Sequence, residues 1–313
     1  PHRHLSVKTV NDGLSTHWVE GDKVNVFHAE SGSDVYVNDG VFEYSDGNRF
    51  LGQDPNLESG KTYDWYVSYP YDEKMKSPKE MTINIPAVQS QSADGSMEHL
   101  CGSLCPLAGK VTKNNARKSP TIIMNHLVTV MKIKVTNYES TPCNLEKVSF
   151  AHQNREGART ILTGNYKVDF TGDEVTYTYF DLSSSSNLNI SGWEDNDLLT
   201  RSGNQEVRPL VQLESPKLLG LNESATVYLA CKPFVVNNAT FLSVGMNNPS
   251  DGVSVRICKE INCKAGGIYS IKQGSRKAPP FKDGINFYHG KKNVDGTYTI
   301  DEDGWWRCDL PEG

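Results

Sequence analysis

The chain has 313 residues, with 32 Lys and Arg against 38 Asp and Glu, and the formal net charge of −6 leaves no basic excess for phosphates or an anionic membrane surface. Only 37% of residues are apolar, yet 14 Tyr, 10 Phe and 5 Trp supply large groups for a core, which excludes a wholly disordered chain. At about 150 residues per domain the length predicts two domains, and no run nears the roughly 18 apolar residues of a membrane-spanning helix.

In chain order, apolar residues recur with a period of two. Val24 and Val26 alternate with Lys23 and Asn25; Tyr63, Trp65, Val67 and Tyr69 share a face with Tyr66 opposite; Met81, Ile83 and Ile85 alternate with Thr82 and Asn84. Leu127, Thr129, Met131, Ile133 and Val135 share a face while Lys132 and Lys134 point the other way. Val175, Tyr177 and Tyr179 follow the same rule, as do Val227, Leu229 and Cys231, and Val253, Val255 and Ile257. Such alternation with β-branched and aromatic enrichment predicts half-buried strands. Asp-Gly pairs at Asp12-Gly13, Asp39-Gly40, Asp46-Gly47, Asp94-Gly95, Asp251-Gly252, Asp283-Gly284 and Asp295-Gly296 punctuate them as tight turns. No stretch carries a helical apolar stripe, so the class is all-β, sandwich or barrel.

Thr62–Tyr71 and Ala225–Phe234 each run as a strand into Pro followed by an aromatic, an echo that favours two units of one kind. The alternation stops at Thr136-Asn137, ahead of the turn-prone Ser140-Thr141-Pro142, which places a boundary there. The predicted division is an N-terminal β-sandwich over residues 1–138, a second over 139–273 and a strand-bearing tail over 274–313.

Seven cysteines leave at least one unpaired. His99, Cys101 and Cys105 are the one tight His/Cys cluster, three ligands where a structural zinc needs four. A Cys101–Cys105 bridge and a Cys258–Cys263 bridge are the alternatives to free thiols. There is no Gly-x-Ser-x-Gly elbow, no calcium loop and no glycine-rich loop opening a helix, so the chain reads as non-enzymatic and without a cofactor. Lys110, Lys113, Arg117 and Lys118 form one basic loop, of the kind that solubilises a surface, and nucleic acid is not an expected partner. Trp305-Trp306 is different: neighbours on a strand face opposite ways, so one Trp must meet solvent, a sugar or another subunit.

Several phrases together resemble the fimbrillin family of Bacteroidales, the subunits of type V pili. They are Trp18–Phe27 (WVEGDKVNVF), Tyr66–Tyr71 (YVSYPY), Ile85–Gln91 (IPAVQSQ), His126–Val135 (HLVTVMKIKV), Leu162–Tyr166 (LTGNY), Val227–Phe234 and Ala265–Ile271 (AGGIYSI), in matching order over roughly residues 5–273. The resemblance implies two tandem transthyretin-like β-sandwiches, export to the cell surface as an outer-membrane lipoprotein, and polymerisation with other pilus subunits by strand donation. It also implies removal of an N-terminal strand by cleavage after a basic residue, for which Arg3 and Arg49 are formal candidates. No lipobox or propeptide junction is visible in this chain, so any membrane tie is through a lipid anchor that it does not contain.

The long tail after Ile271 departs from the family. Its alternation, Val294, Thr297 and Thr299 or Tyr298 and Ile300, suits a strand that fills a neighbour's groove or folds back on its own second domain. Together with Trp305 and Trp306 these residues form the candidate assembly segment. The expected function is a structural or adhesive subunit of a cell-surface fimbria, binding other subunits and in the adhesive case a host protein or glycan. An alternative is a surface glycan-binding lipoprotein that stacks sugars on Trp193, Trp305 or Trp306.

Overall fold

The computed structural model describes residues 2–9, 17–138, 140–153, 159–180, 198–199, 209–237, 240–247, 253–257, 260–275, 290–292 and 298–300. Its regular structure is strand throughout, apart from two short 3₁₀ turns at Glu98–Leu100 and Gly102–Leu104. The all-β class therefore holds.

Seven strands close a barrel. They are β1 (His2–Thr9), β2 (Lys23–Glu30), β3 (Val37–Asp46), β4 (Arg49–Gln53), β5 (Thr62–Tyr69), β8 (Leu107–Asn115) and β9 (Thr121–His126), in the order β1-β4-β3-β2-β5-β8-β9. Val24, Val26, Phe42, Phe50, Trp65, Val67, Leu107, Ile122 and Met124 fill the interior. The Tyr63, Trp65, Val67 row lies in that interior as its alternation implies, while Tyr66 faces outward into a second cluster. β2 is buried on both faces, because Phe27 and Ala29 on its far side also enter that cluster. Among them sits a buried amide: Asn25 donates from Nδ2 to the Asp72 carbonyl at 2.9 Å and accepts from the Asp72 N–H at 2.8 Å, fixing the loop after Pro70 to the central strand.

The second body is a sandwich. One sheet runs β17 (Ser224–Cys231), β10 (Thr129–Asn137), β22 (Ile268–Ser275). Facing it are β15 (Leu198–Leu199), β12 (Arg159–Thr160), β11 (Cys143–Gln153), β16 (Leu210–Leu219) and β7 (Val88–Gln91), with β19 (Thr240–Met246) on β11 and β20 (Val253–Ile257) beyond it. Met131, Ile133 and Val135 of β10 meet Val148 and Phe150 of β11 and Val227 and Leu229 of β17 in its core. Two small sheets complete this region, β6 (Met81–Ile85) with β13 (Gly164–Asp169) and β14 (Thr176–Phe180), and β18 (Phe234–Val236) with β21 (Ile261–Cys263).

Strand pairing does not follow a cut at residue 138. β6 pairs with β13, β7 with β16, and β10 with β17 and β22, so three strands of the first 138 residues lie in ladders with the second half. The cluster shared by Phe27, Tyr66, Met81, Ile83, Ile85, Tyr166 and Ala230 joins barrel and sandwich across that boundary. Alternation marks a strand and its buried face, but says nothing of which strand lies beside it.

Close approach of β8 and β9 depends on Gly109, where an added Cβ would run into the Ile123 carbonyl oxygen and the Ile122 side chain. Gly109→Ala is expected to lower stability by about 2 kcal/mol through overpacking against backbone that cannot yield. Gly220→Ala, whose nearest neighbour is the flexible Glu223 carboxylate at 3.4 Å, serves as the control and should stay within about 0.5 kcal/mol. Urea unfolding followed by tryptophan fluorescence measures both.

Candidate assembly interface

β1 is the seam of the barrel. It pairs antiparallel with β4 through His2↔Gln53, Arg3↔Gly52, His4↔Leu51, Leu5↔Phe50 and Ser6↔Arg49, and parallel with β9 through Ser6↔Thr121, Val7↔Ile122, Lys8↔Ile123 and Thr9↔Met124. Among the described residues β4 and β9 have no ladder with each other, so β1 alone joins them. Its register sets the apolar members of its sequence alternation opposite core residues, Leu5 beside Phe50 and Val7 beside Ile122. Phe50, Ile122 and Met124 are each fully buried. Without β1 the barrel would become an open sheet with two unpaired edges over an apolar floor.

Trp18 packs edge-on against Phe50 at 5.0 Å and Tyr69 at 5.2 Å between ring centroids. Tyr69 donates its hydroxyl to Asp22 at 3.1 Å, and burial, with the Asp22 charge beside it, pushes the phenol up to about 12. The aromatic anchor therefore belongs to the barrel body, independent of the strand that precedes it.

The sequence candidates fall in three places. Arg3 lies within β1, opposite Gly52. Arg49 opens β4 at the β3–β4 turn, where its guanidinium pairs with Asp46 of the same hairpin. Tyr298, Thr299 and Ile300 form β24 (Tyr298–Ile300), which pairs with β23 (Gly290–Lys292) through Lys292↔Tyr298, Lys291↔Thr299 and Gly290↔Ile300. That tail segment thus pairs upon itself, and among the described residues it joins neither the barrel nor the sandwich. Val294, Thr297, Trp193, Trp305 and Trp306 lie outside the described residues.

The His/Cys cluster does not converge. His99 donates from Nε2 to the Tyr228 carbonyl at 2.9 Å, whereas Cys105 places its sulfur 3.0 Å from Nδ1 of His126. Among the described residues no three His, Cys, Asp or Glu side chains gather as metal ligands. Cys101, Cys105, Cys143, Cys231 and Cys263 are free thiols, so neither the Cys101–Cys105 nor the Cys258–Cys263 bridge is formed. Burial pushes Cys105 and Cys263 up to about 12, which keeps both as inert thiols at neutral pH. Sequence reading missed the partner of the buried His28, whose Nδ1 sits 2.8 Å from both carboxylate oxygens of Asp39; the bulge between Val26 and Phe27 brings the two together, and no spacing rule marks it.

No family model and no curated protein matches the sequence. Solved structures do resemble it. A protein from Bacteroides uniformis, provisionally described as a cell adhesion protein, has a TM-score of 0.49 at 12% identity over 88% of this chain and 95% of its own. A fimbrial protein from Bacteroides ovatus gives 0.40 at 11% identity, over 96% of this chain and 54% of its own. A fimbrial assembly protein from Parabacteroides distasonis gives 0.37 at 11% identity, over 87% of this chain and 90% of its own.

Buried histidines make the fold sensitive to acid. His152 is 5% exposed, lies with Nδ1 2.6 Å from the Thr160 hydroxyl, and is pushed down to about 4 by burial. Its folded pKa lies below the unfolded value, so the unfolded chain gains a proton first and stability drops as pH falls below about 6.5, levelling off near 4. The loss attributable to this residue is expected to reach up to about 3 kcal/mol. His152→Gln, which keeps a partner for Thr160, should flatten the difference between urea midpoints at acid and neutral pH.

Proposed function

We propose that this protein is a non-enzymatic structural or adhesive subunit of a cell-surface fimbria that joins its neighbours by exchanging the strand in the β1 seam. The position of β1 carries the reading. A strand that closes a barrel by itself can be replaced by any segment offering the same backbone groups and an apolar residue at alternate positions. Nine register pairs would be lost and regained in such an exchange, so its net cost is small compared with leaving two edges open.

The donor is the C-terminal segment of a second copy or of a related subunit. In the isolated chain Tyr298–Ile300 is engaged by only three register pairs with β23, a short ladder that is easily given up. Other pilus subunits are then the partners, and export to the cell surface with attachment through a lipid anchor is the setting. The formal cleavage candidates favour displacement of β1 over its excision. A cut after Arg3 leaves Leu5 and Val7 in the seam, and a cut after Arg49 would detach β2, whose Val24, Val26, Phe27 and Ala29 are fully buried.

The test uses a chain lacking residues 1–9 beside the full chain. The shortened chain is expected to self-associate in light scattering and to bind fluorescent peptides covering residues 2–9 and 288–304, with the first peptide restoring a monomer. The full chain should bind the tail peptide only slowly, as β1 leaves. A shortened chain that stays folded and monomeric and binds neither peptide would overturn the proposal.

A further inference from the structure

β17 is an edge strand whose edge is not open. Its alternate residues Thr226, Tyr228 and Ala230 turn their backbone groups away from β10, and side chains from residues 89–99 meet them one by one. Gln89 accepts from the Ala230 N–H at 2.9 Å and donates from Nε2 to the Ala230 carbonyl at 2.7 Å. Gln91 accepts from the Tyr228 N–H at 2.8 Å and donates to the Thr226 carbonyl at 3.0 Å. The remaining Tyr228 carbonyl receives the Nε2–H of His99 at 2.9 Å. Further along, the Lys232 N–H donates to the Leu162 carbonyl at 2.8 Å.

The match follows from geometry. Gln89 and Gln91 are two apart on β7, hence on one face and about 7 Å apart, the same spacing as Tyr228 and Ala230 on β17. Meanwhile the β7 backbone pairs with β16 of the opposite sheet, Val211↔Gln89 and Leu213↔Gln91. One short strand therefore holds one sheet by its backbone and the other by its side chains. Gln89 and Gln91 are 1% and 0% exposed, so these amides replace water that cannot reach the edge.

We propose that Gln89, Gln91 and His99 form an internal plug that closes the β17 edge to the backbone of a second copy of this chain, leaving strand exchange to the β1 seam. This deepens the strand-exchange reading and rests on it. The plug is made of side chains from a segment whose backbone is held in another ladder, whereas β1 meets its neighbours by its backbone alone. Addition at β17 requires both amides to leave the edge together.

The test keeps β1 intact and substitutes Gln89→Leu with Gln91→Leu in the full chain, which preserves side-chain size and removes the amides. Hydrogen exchange of the Tyr228 and Ala230 amides is expected to accelerate by about 100-fold. The variant should self-associate while the backbone amides of β1 stay protected, and in the associated form protection should return to Tyr228 and Ala230. A folded variant with both amides exposed that remains monomeric, or one that associates through loss of β1 protection, would overturn the plug. So would exchange at Tyr228 and Ala230 in the unaltered chain as fast as in an unfolded peptide, a measurement that needs no variant. The chain lacking residues 1–9 with both glutamines in place reports on the seam alone, so failure of the plug and failure of strand exchange give different results.

Discussion

The structure depends on one constraint: each strand carries a row of backbone donors and acceptors along both edges, and a row that is neither solvated nor paired costs more than the fold can absorb. With no α-helix among the described residues to cover its sheets, the chain must find strands or side chains for buried edges. The barrel meets this with a strand drawn from its own N-terminus, placed antiparallel to β4 and parallel to β9. The sandwich meets it at β17 with two glutamines and a histidine.

Packing makes the two bodies depend on each other. Phe27 and Tyr66 face out of the barrel into a cluster that includes Met81, Ile83 and Ile85 of β6 and Tyr166 and Val168 of β13. β10 contributes Val130 to this shared cluster and Met131, Ile133 and Val135 to the sandwich core, so its two faces serve different cores. A barrel held this way on one flank can open at β1 on the other without dispersing, since Val24, Val26, Trp65 and Val67 sit on strands that β1 does not touch. Rigidity elsewhere is what would make a removable strand useful in assembly.

What was legible in the sequence was local. Period two marks β5, β6, β10 and β17 and assigns their faces correctly, with Trp65 in, Tyr66 out, and Lys132 and Lys134 away from the core of Met131 and Ile133. Pro70 and Pro233 end strands, and the aromatic after Pro233, Phe234, is buried as its position implies. Sequence-distant pairing was not legible. β1 carries only Leu5 and Val7 as an apolar alternation, and its role comes from partners some fifty and a hundred residues away, Phe50 and Ile122. His99, Cys101 and Cys105 look like a ligand set because they are close in the chain, yet the two 3₁₀ turns point them to different partners, the Tyr228 carbonyl and His126. Gln89 and Gln91 look like an ordinary polar face, since nothing in Val88–Gln91 announces that the glutamines are the buried side.

The two edge closures differ in kind. Backbone pairing by a terminal strand is generic: it accepts any extended segment in register, and specificity comes only from which side chains fit beside Phe50, Ile122 and Met124. Side-chain pairing is particular, because Gln is the residue whose amide offers a donor and an acceptor together at the reach needed to mimic a strand, and two in alternate positions match the β repeat. A competitor at β17 would have to break four amide hydrogen bonds and the His99 contact at once, while a competitor at β1 would replace nine register pairs one after another. Stepwise replacement keeps the barrel nearly closed throughout, so the kinetic barrier at the seam is the lower one even where the final ladders are of equal strength. Of the two closures, the backbone one is thus the closure that an extended segment of another chain could take over.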